Sequence, residues 1–257
     1  MTILDSIVER TRRHVERQRR RYRPRDEAHP DRSARALSAL QRRGELPNVI
    51  AEVKFRSPSA GRIRERRTGE AVRVARGYER GGAAAISVLA DGPGFGGGVA
   101  DVRRVAAAVE RPVLFKGFVV DPFQVLIAAD VGASMVLLLA SVLDDAELGT
   151  LVAETRRLGL EPVLEVANDA ELSRALRTEA RIIGVNARDL HTFRVDPDAA
   201  ARCIEAIPSD RLAVYMSGVR SREDLRQVAR GRADAALVGE GLMRRGNPGD
   251  ELAEWLK

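Results

Sequence analysis

The sequence predicts an α/β protein in which eight β/α units close into one parallel barrel, a (β/α)8 TIM barrel, behind an N-terminal helical extension. Three observations carry this. From residue 47 onward, short apolar, β-branched runs alternate with longer amphipathic stretches. The runs begin roughly 20 to 35 residues apart, the spacing of a β/α unit. The chain has 257 residues, which suits one barrel with a short extension. Strands alternating with helices argue for a parallel sheet, and eight such units argue for a closed barrel over an open doubly wound sheet.

Residues 1–46 do not follow this repeat. Ile3, Leu4, Ile7, Val8 and Val15 fall near one helical stripe, and Arg23-Pro24-Arg25 breaks it. A second short helix is expected over 33–43. The expectation is therefore a helical segment, 1–46, packed on a barrel spanning 47–257, together a single domain. Strands are expected at 49–54, 84–89, 112–116, 135–139, 162–166, 182–186, 212–216 and 235–238, with helical patterns between them, as at 145–158 and 222–230.

Composition narrows the functional classes. Hydrophobic residues make up 44%, which excludes a disordered chain. The one cysteine, Cys203, rules out an intramolecular disulfide and suits a reducing cytoplasm. The opening MTILDSIVERTRRH has neither the apolar core nor the cleavage site of a secretory signal. No apolar run approaches the roughly 20 residues that cross a bilayer, so no membrane partner is expected. The net charge is +6, with arginines concentrated at 12–25 and 61–67. Aromatic content of 4% leaves few platforms for stacking bases, which disfavours nucleic acid as a partner. A solvated arginine-rich surface whose positive field attracts an anionic substrate is the expectation. Monomer and homodimer both stay open.

In such a barrel, functional groups sit at the C-terminal ends of the strands. Ile50, Glu52 and Lys54 alternate onto one face of the first strand. Later strands end in Lys116, Glu165 and Asn186, the last followed by Arg188. Two Lys, two Glu and one Asn at one mouth are a poor core, because unpaired buried charge is costly, and a plausible site. Ser217-Gly218 and Gly239-Glu240-Gly241 follow the last two strands and suggest a phosphate held by backbone N–H groups. Lys54 and the Ser57-Pro58-Ser59 turn are placed to close its other side. His14, His29 and His191 lack metal-ligand spacing, so no metal is expected. Cys203 reads as core, and the glycines at 92–98 as either a turn or a mobile lid.

Four stretches then resemble one family, the indole-3-glycerol phosphate synthases: IAEVKFRSPSAG (50–61), ISVLADGPGFGG (86–97), GVNARDLHTF (184–193) and LVGEGLMR (237–244). The resemblance covers nearly the whole chain. It implies a carboxy-lyase of tryptophan biosynthesis that closes the indole ring of 1-(2-carboxyphenylamino)-1-deoxyribulose 5-phosphate, losing carbon dioxide and water, with no metal or organic cofactor. By matching positions, Lys116 resembles the general acid and Glu165 the general base, with Glu52 beside it. Lys54 resembles the lysine on the substrate carboxylate, and Asn186 and Arg188 the residues that hold the substrate. Ser57, Ser217, Gly218, Gly239 and Glu240 resemble the phosphate cradle; Phe95, Phe118, Leu137 and Leu190 would line the pocket for the aromatic ring.

The sequence departs from the family at telling positions. Gly117 follows Lys116 where Asp is usual, and Met216 precedes Ser217-Gly218 where Glu is usual. Ala167 and Gly98 replace a common His and Ser. An inward Met216 would line the site with an adaptable apolar surface and take an anion from near Lys116. Two enzymatic readings follow: the standard synthase, or a diverged paralogue acting on a related phosphorylated arylamine in secondary metabolism. A sugar-phosphate isomerase on the same fold is disfavoured, since Cys203 lies in a predicted helix. A non-catalytic barrel binding a phosphate ligand or nucleic acid predicts steeply salt-dependent retention of nucleic acid.

Overall fold

The computed structural model describes residues 3–57, 60–92, 95–189 and 194–257. Eight parallel strands form a closed barrel: β1 (Asn48–Val53), β4 (Ala85–Leu89), β5 (Val113–Lys116), β6 (Met135–Leu139), β7 (Glu161–Val166), β8 (Ile182–Asn186), β9 (Leu212–Met216) and β10 (Ala235–Val238). The barrel closes where β10 pairs with β1, Asn48 opposite Ala235 through Ala51 opposite Val238. Each strand lies within one residue of its expected limits. A hairpin of β2 (Arg56–Ser57) and β3 (Gly61–Arg62) follows β1.

The outer layer is made of α3 (Glu70–Arg80), α4 (Val99–Ala106), α5 (Pro122–Asp130), α6 (Asp145–Arg157), α7 (Asp169–Leu176), α8 (Pro197–Glu205), α9 (Arg222–Ala229), the short α10 (Glu240–Met243) and α11 (Pro248–Trp255). Local chemistry starts several of them. Asp121, Asp144, Asn168, Asp196, Ser221 and Asn247 each accept a backbone N–H at a helix N-terminus, and Asp144–Glu147 and Ser221–Asp224 complete capping boxes.

Two apolar clusters result from the alternation along each strand. Outward residues pack under the helices, while Ile50, Leu114, Met135, Leu137, Val163, Ile182, Val214 and Leu237 fill the lumen. Cys203 is buried in the outer cluster, and burial pushes its thiol up to about 11, in keeping with core packing.

The two N-terminal helices pack at different places. α1 (Ile3–Arg21) lies along α5 and reaches α6: the Arg19 guanidinium stacks 5.0 Å over Phe123, Tyr22 just beyond α1 donates to Asp130, and Arg12 pairs with Glu147 of α6 at 2.7 Å. The second helix, α2 (Pro30–Leu40), begins earlier than expected because Pro30 suits the first helical turn, and ends where Gln41 turns extended. Ala36 and Leu40 are fully buried in the lumen cluster, so α2 plugs the N-terminal mouth. There Ser33 donates to Glu161 at 2.7 Å, and the buried Glu161 pairs with Arg181 at 2.6 Å. Among the described residues, no helix is long and apolar enough to cross a membrane.

Candidate active site

Strand register sets the site. At the opposite mouth, Leu89 pairs with Lys116, Leu139 with Glu165, and Asn186 with Met216. Because these positions lie at or next to the ends of their strands, their side chains stand at one level of the barrel. Lys54 follows β1 directly.

Two ion pairs meet there. Lys54 Nζ lies 2.6 Å from Glu52 Oε1, and Lys116 Nζ lies 3.7 Å from Glu165 Oε2. The lysine side chains are each 20% exposed, so both ammonium groups reach the opening while the carboxylates stay below. Asn186 Nδ2 donates to Glu165 Oε1 at 2.8 Å, and Asn186 Oδ1 accepts the Arg188 N–H at 3.0 Å. Glu165 is thus fixed from one side by an amide and approached from the other by an ammonium.

Glu52 is almost fully buried. Burial works to raise its pKa, but the charges of Lys54 and Lys116 outweigh that and hold the carboxyl below the usual range. Its carboxylate occupies a notch above Gly239: a Cβ on residue 239 would fall 2.5 Å from Glu52 Oε1. Lys54 approaches Oε1 as a close ion pair, and the buried Ser87 Oγ beside Glu52 in register has no hydrogen-bond partner among the described residues.

The opening has two arms that share Lys54, Lys116, Glu165 and Asn186. One is apolar, about 160 Å³, walled by Leu4, Ile7, Leu89, Phe95, Phe118, Leu137 and Leu139. The other, about 120 Å³, is polar and lined by Glu52, Met216, Gly218, Arg220, Gly239 and Glu240. Ser57, Arg188 and Ser217 border both. Ser217 is the only non-glycine residue with positive φ among the described residues (φ 69°), followed by Gly218 at φ 87°. A strained backbone of this kind marks a loop shaped for a purpose. One arm suits a flat apolar group and the other an anion, with acid–base groups between them.

A family profile described as indole-3-glycerol phosphate synthase matches residues 4–254. The chain belongs to the indole-3-glycerol phosphate synthase family. It is similar to the indole-3-glycerol phosphate synthase of Mycobacterium ulcerans, with 44% identity over 85% of this chain and 79% of that one. That of Mycobacterium avium is 45% identical over 80% of this chain and 75% of that one. Among solved structures, 3-hexulose-6-phosphate synthase from Salmonella typhimurium superposes with a TM-score of 0.61 at 14% identity, covering 81% of this chain and 98% of that one. That likeness shows the barrel fold alone. Membership of the indole-3-glycerol phosphate synthase family makes this chain an enzyme, a carboxy-lyase of tryptophan biosynthesis.

Against the sequence-based expectations, the structure brings every expected site residue to this mouth except Leu190, which lies outside the described residues. Gly239 stands beside the expected phosphate cradle, and it also makes room for Glu52. Two departures from the indole-3-glycerol phosphate synthase pattern gain a location. Met216 faces the lumen, 2% exposed. Gly117 faces away from it, toward Asp91. Sequence reasoning missed Leu4, Ile7, Leu89 and Leu139 on the apolar wall, together with Ser87 and Asp91. Leu4 and Ile7 were visible as a helical stripe, but a stripe does not say which surface it covers.

Proposed function

We propose that the chain closes the indole ring of 1-(2-carboxyphenylamino)-1-deoxyribulose 5-phosphate with the residues of this mouth. The observation that carries the reading is the Lys116–Glu165 pair, with Asn186 on Glu165, at the junction of an apolar and an anion-suited arm. The aryl ring enters the arm of Phe95, Phe118 and Leu137, and the phosphate enters the arm of Ser57, Ser217, Gly218, Gly239 and Glu240. This stretches a flexible chain so that the ring carbon meets the ketone, a gain in proximity and orientation.

Lys116 gives a proton to the ketone oxygen as the ring carbon bonds to the carbonyl carbon. Lys54 pairs with the ring carboxylate until it leaves as carbon dioxide, its bonding electrons restoring the aromatic ring. Glu165 then removes a proton as the new hydroxyl departs, protonated by Lys54, as water. Glu52 holds Lys54 in place, while Asn186 and Arg188 hold the substrate and order Glu165. The site groups come wholly from side chains and backbone, and the reading includes no metal or organic cofactor.

Cytoplasmic action fits the single, buried, unpaired Cys203. Residues 1–46 serve as a helical extension of the 47–257 barrel, in a monomer or homodimer. The test is turnover of the purified protein followed by indole fluorescence. Product at a rate on the order of one per second supports the standard reaction; no product with any form of this substrate removes it.

Met216 favours a second reading, a paralogue acting on a related phosphorylated arylamine. Met216→Glu separates the two. A large gain with the standard substrate supports divergence, and no gain counts against it.

A further inference from the structure

The apolar arm does not end at Phe95 and Phe118. These rings stand 6.0 Å apart at a tilt of 48°, and behind them lies a chamber of about 370 Å³ between α1 and the outer wall of the barrel. The arm and the chamber share Ile7, Asp91, Phe95, Gly117 and Phe118.

Asp91 stands at the junction. Its Oδ2 accepts the Phe118 N–H at 2.9 Å. Among the described residues, its side chain accepts no other hydrogen bond, and no Lys, Arg or His comes within ion-pairing distance. Burial raises its pKa, against smaller opposing effects of the Phe118 N–H and of the charges of His14, Arg10 and Lys116. Gly117 is the reason the carboxyl fits there. A Cβ at 117 would lie 2.8 Å from Asp91 Oδ2, so Asp91 fills the space that any larger residue would need.

Asp91 is partly buried and borders both cavities, so one of its carboxylate oxygens is left to face a bound ring, and an unsubstituted ring offers that acceptor only C–H groups. A ring bearing a donor would satisfy it, and the chamber supplies the room. The charge around the chamber narrows the donor further. Asp91 disfavours an anionic group, and Arg10, His14 and Arg17 on its rim disfavour a cationic one. What remains is a neutral donor.

We propose that Asp91 and the chamber behind it form a subsite for a neutral hydrogen-bond donor on the aromatic ring, a phenolic hydroxyl or an arylamine. The preferred substrate is then a ring-hydroxylated or ring-aminated form of the carboxyphenylamino-deoxyribulose phosphate. This rests on the reaction assigned above.

The experiment compares kcat/KM for the unsubstituted substrate with that for each of its ring-hydroxylated and ring-aminated isomers, with product identified by mass spectrometry. At least one isomer is expected to exceed the unsubstituted substrate by about tenfold or more, because a site that hydrogen-bonds a substrate group discriminates against the analogue lacking it. Asp91→Asn, which turns its amide N–H toward the ring once its oxygen takes the Phe118 N–H, and Asp91→Ala should each erase that ratio. The unsubstituted substrate proving the best of the set, or a ratio unchanged in both variants, overturns the subsite while leaving the reaction standing. Turnover of none of the set removes the reaction itself, and the subsite with it. The comparison on the unmodified enzyme decides the matter even where a variant fails to fold.

Discussion

The Met216 thioether lies directly on Gly184: a Cβ built on residue 184 would fall 2.4 Å from Met216 Cε and 2.8 Å from its sulfur. The two sit on adjacent strands, β8 and β9, with Met216 opposite Asn186 in register. The methionine thus fills the lumen beside Asn186, using space that only a glycine leaves open. Gly184→Ala should destabilise the protein by about 1–3 kcal/mol through overpacking. Urea unfolding of Gly184→Ala, Met216→Ala and the double variant checks this. The double variant should recover most of the loss, because shortening Met216 removes the atoms in conflict.

Lys116 and Glu165 act on one substrate from one pair, so their loss should be severe and not additive. Glu165→Gln and Lys116→Met should each lower kcat by about 100- to 10,000-fold. The double variant should be little worse than the poorer single one, as for groups that work as a unit. Circular dichroism and the unfolding midpoint should stay close to the parent, which separates chemistry from folding.

The barrel was legible because its signals are local and repeated: β-branched runs of strand length alternating with amphipathic stretches at a regular spacing. The charged site was legible for the opposite reason. Glu52, Lys116 and Glu165 interrupt otherwise apolar strands, and only pairing at the mouth, Glu52 with Lys54 and Lys116 with Glu165, makes their burial tolerable. What escaped the sequence depends on which element lies against which. The reach of Leu4 and Ile7 into the site follows from how α1 crosses the barrel, which no periodicity encodes. The start of α2 at Pro30 was obscured because proline reads first as a breaker and only second as a first-turn residue. Asp91 became interpretable only once Gly117 was seen to yield it space.

Acid should loosen the β1–α3 connection through Glu70. Arg73, with Arg64 behind it, binds this mostly buried carboxylate and holds its pKa at about 2 against the opposing pull of burial. A depressed carboxyl pKa stabilises the fold above the unfolded value and loses that stabilisation as pH falls through the folded value. The relevant window therefore runs from the ordinary glutamate value of 4.5 down to about 2. Since Arg73 is largely exposed, solvent screening discounts the contribution to about 1 kcal/mol. Glu70→Gln should lower stability by that amount at neutral pH and flatten the stability profile across this window. An unfolding series from pH 7 to pH 2 measures it, and parallel profiles for parent and variant would sink the idea.

Gly239 allows two explanations, and a cycle with Glu52 separates them. A methyl group there would press to 2.5 Å from Glu52 Oε1 and 3.2 Å from its Cδ, pushing the carboxylate off Lys54. If making room for Glu52 is its main duty, Gly239→Ala should reduce kcat sharply in the parent, yet have little further effect once Glu52→Ala has removed the obstructed group. If close approach of backbone to phosphate is its main duty, Gly239→Ala should weaken competitive inhibition by inorganic phosphate equally in both backgrounds. The crowding is tighter than van der Waals contact allows and reaches Glu52 Cβ as well as its carboxylate, so the first pattern is expected: a coupling energy of about 1–3 kcal/mol between the two sites. Purely additive effects on kcat would show that Glu52 and Gly239 act independently.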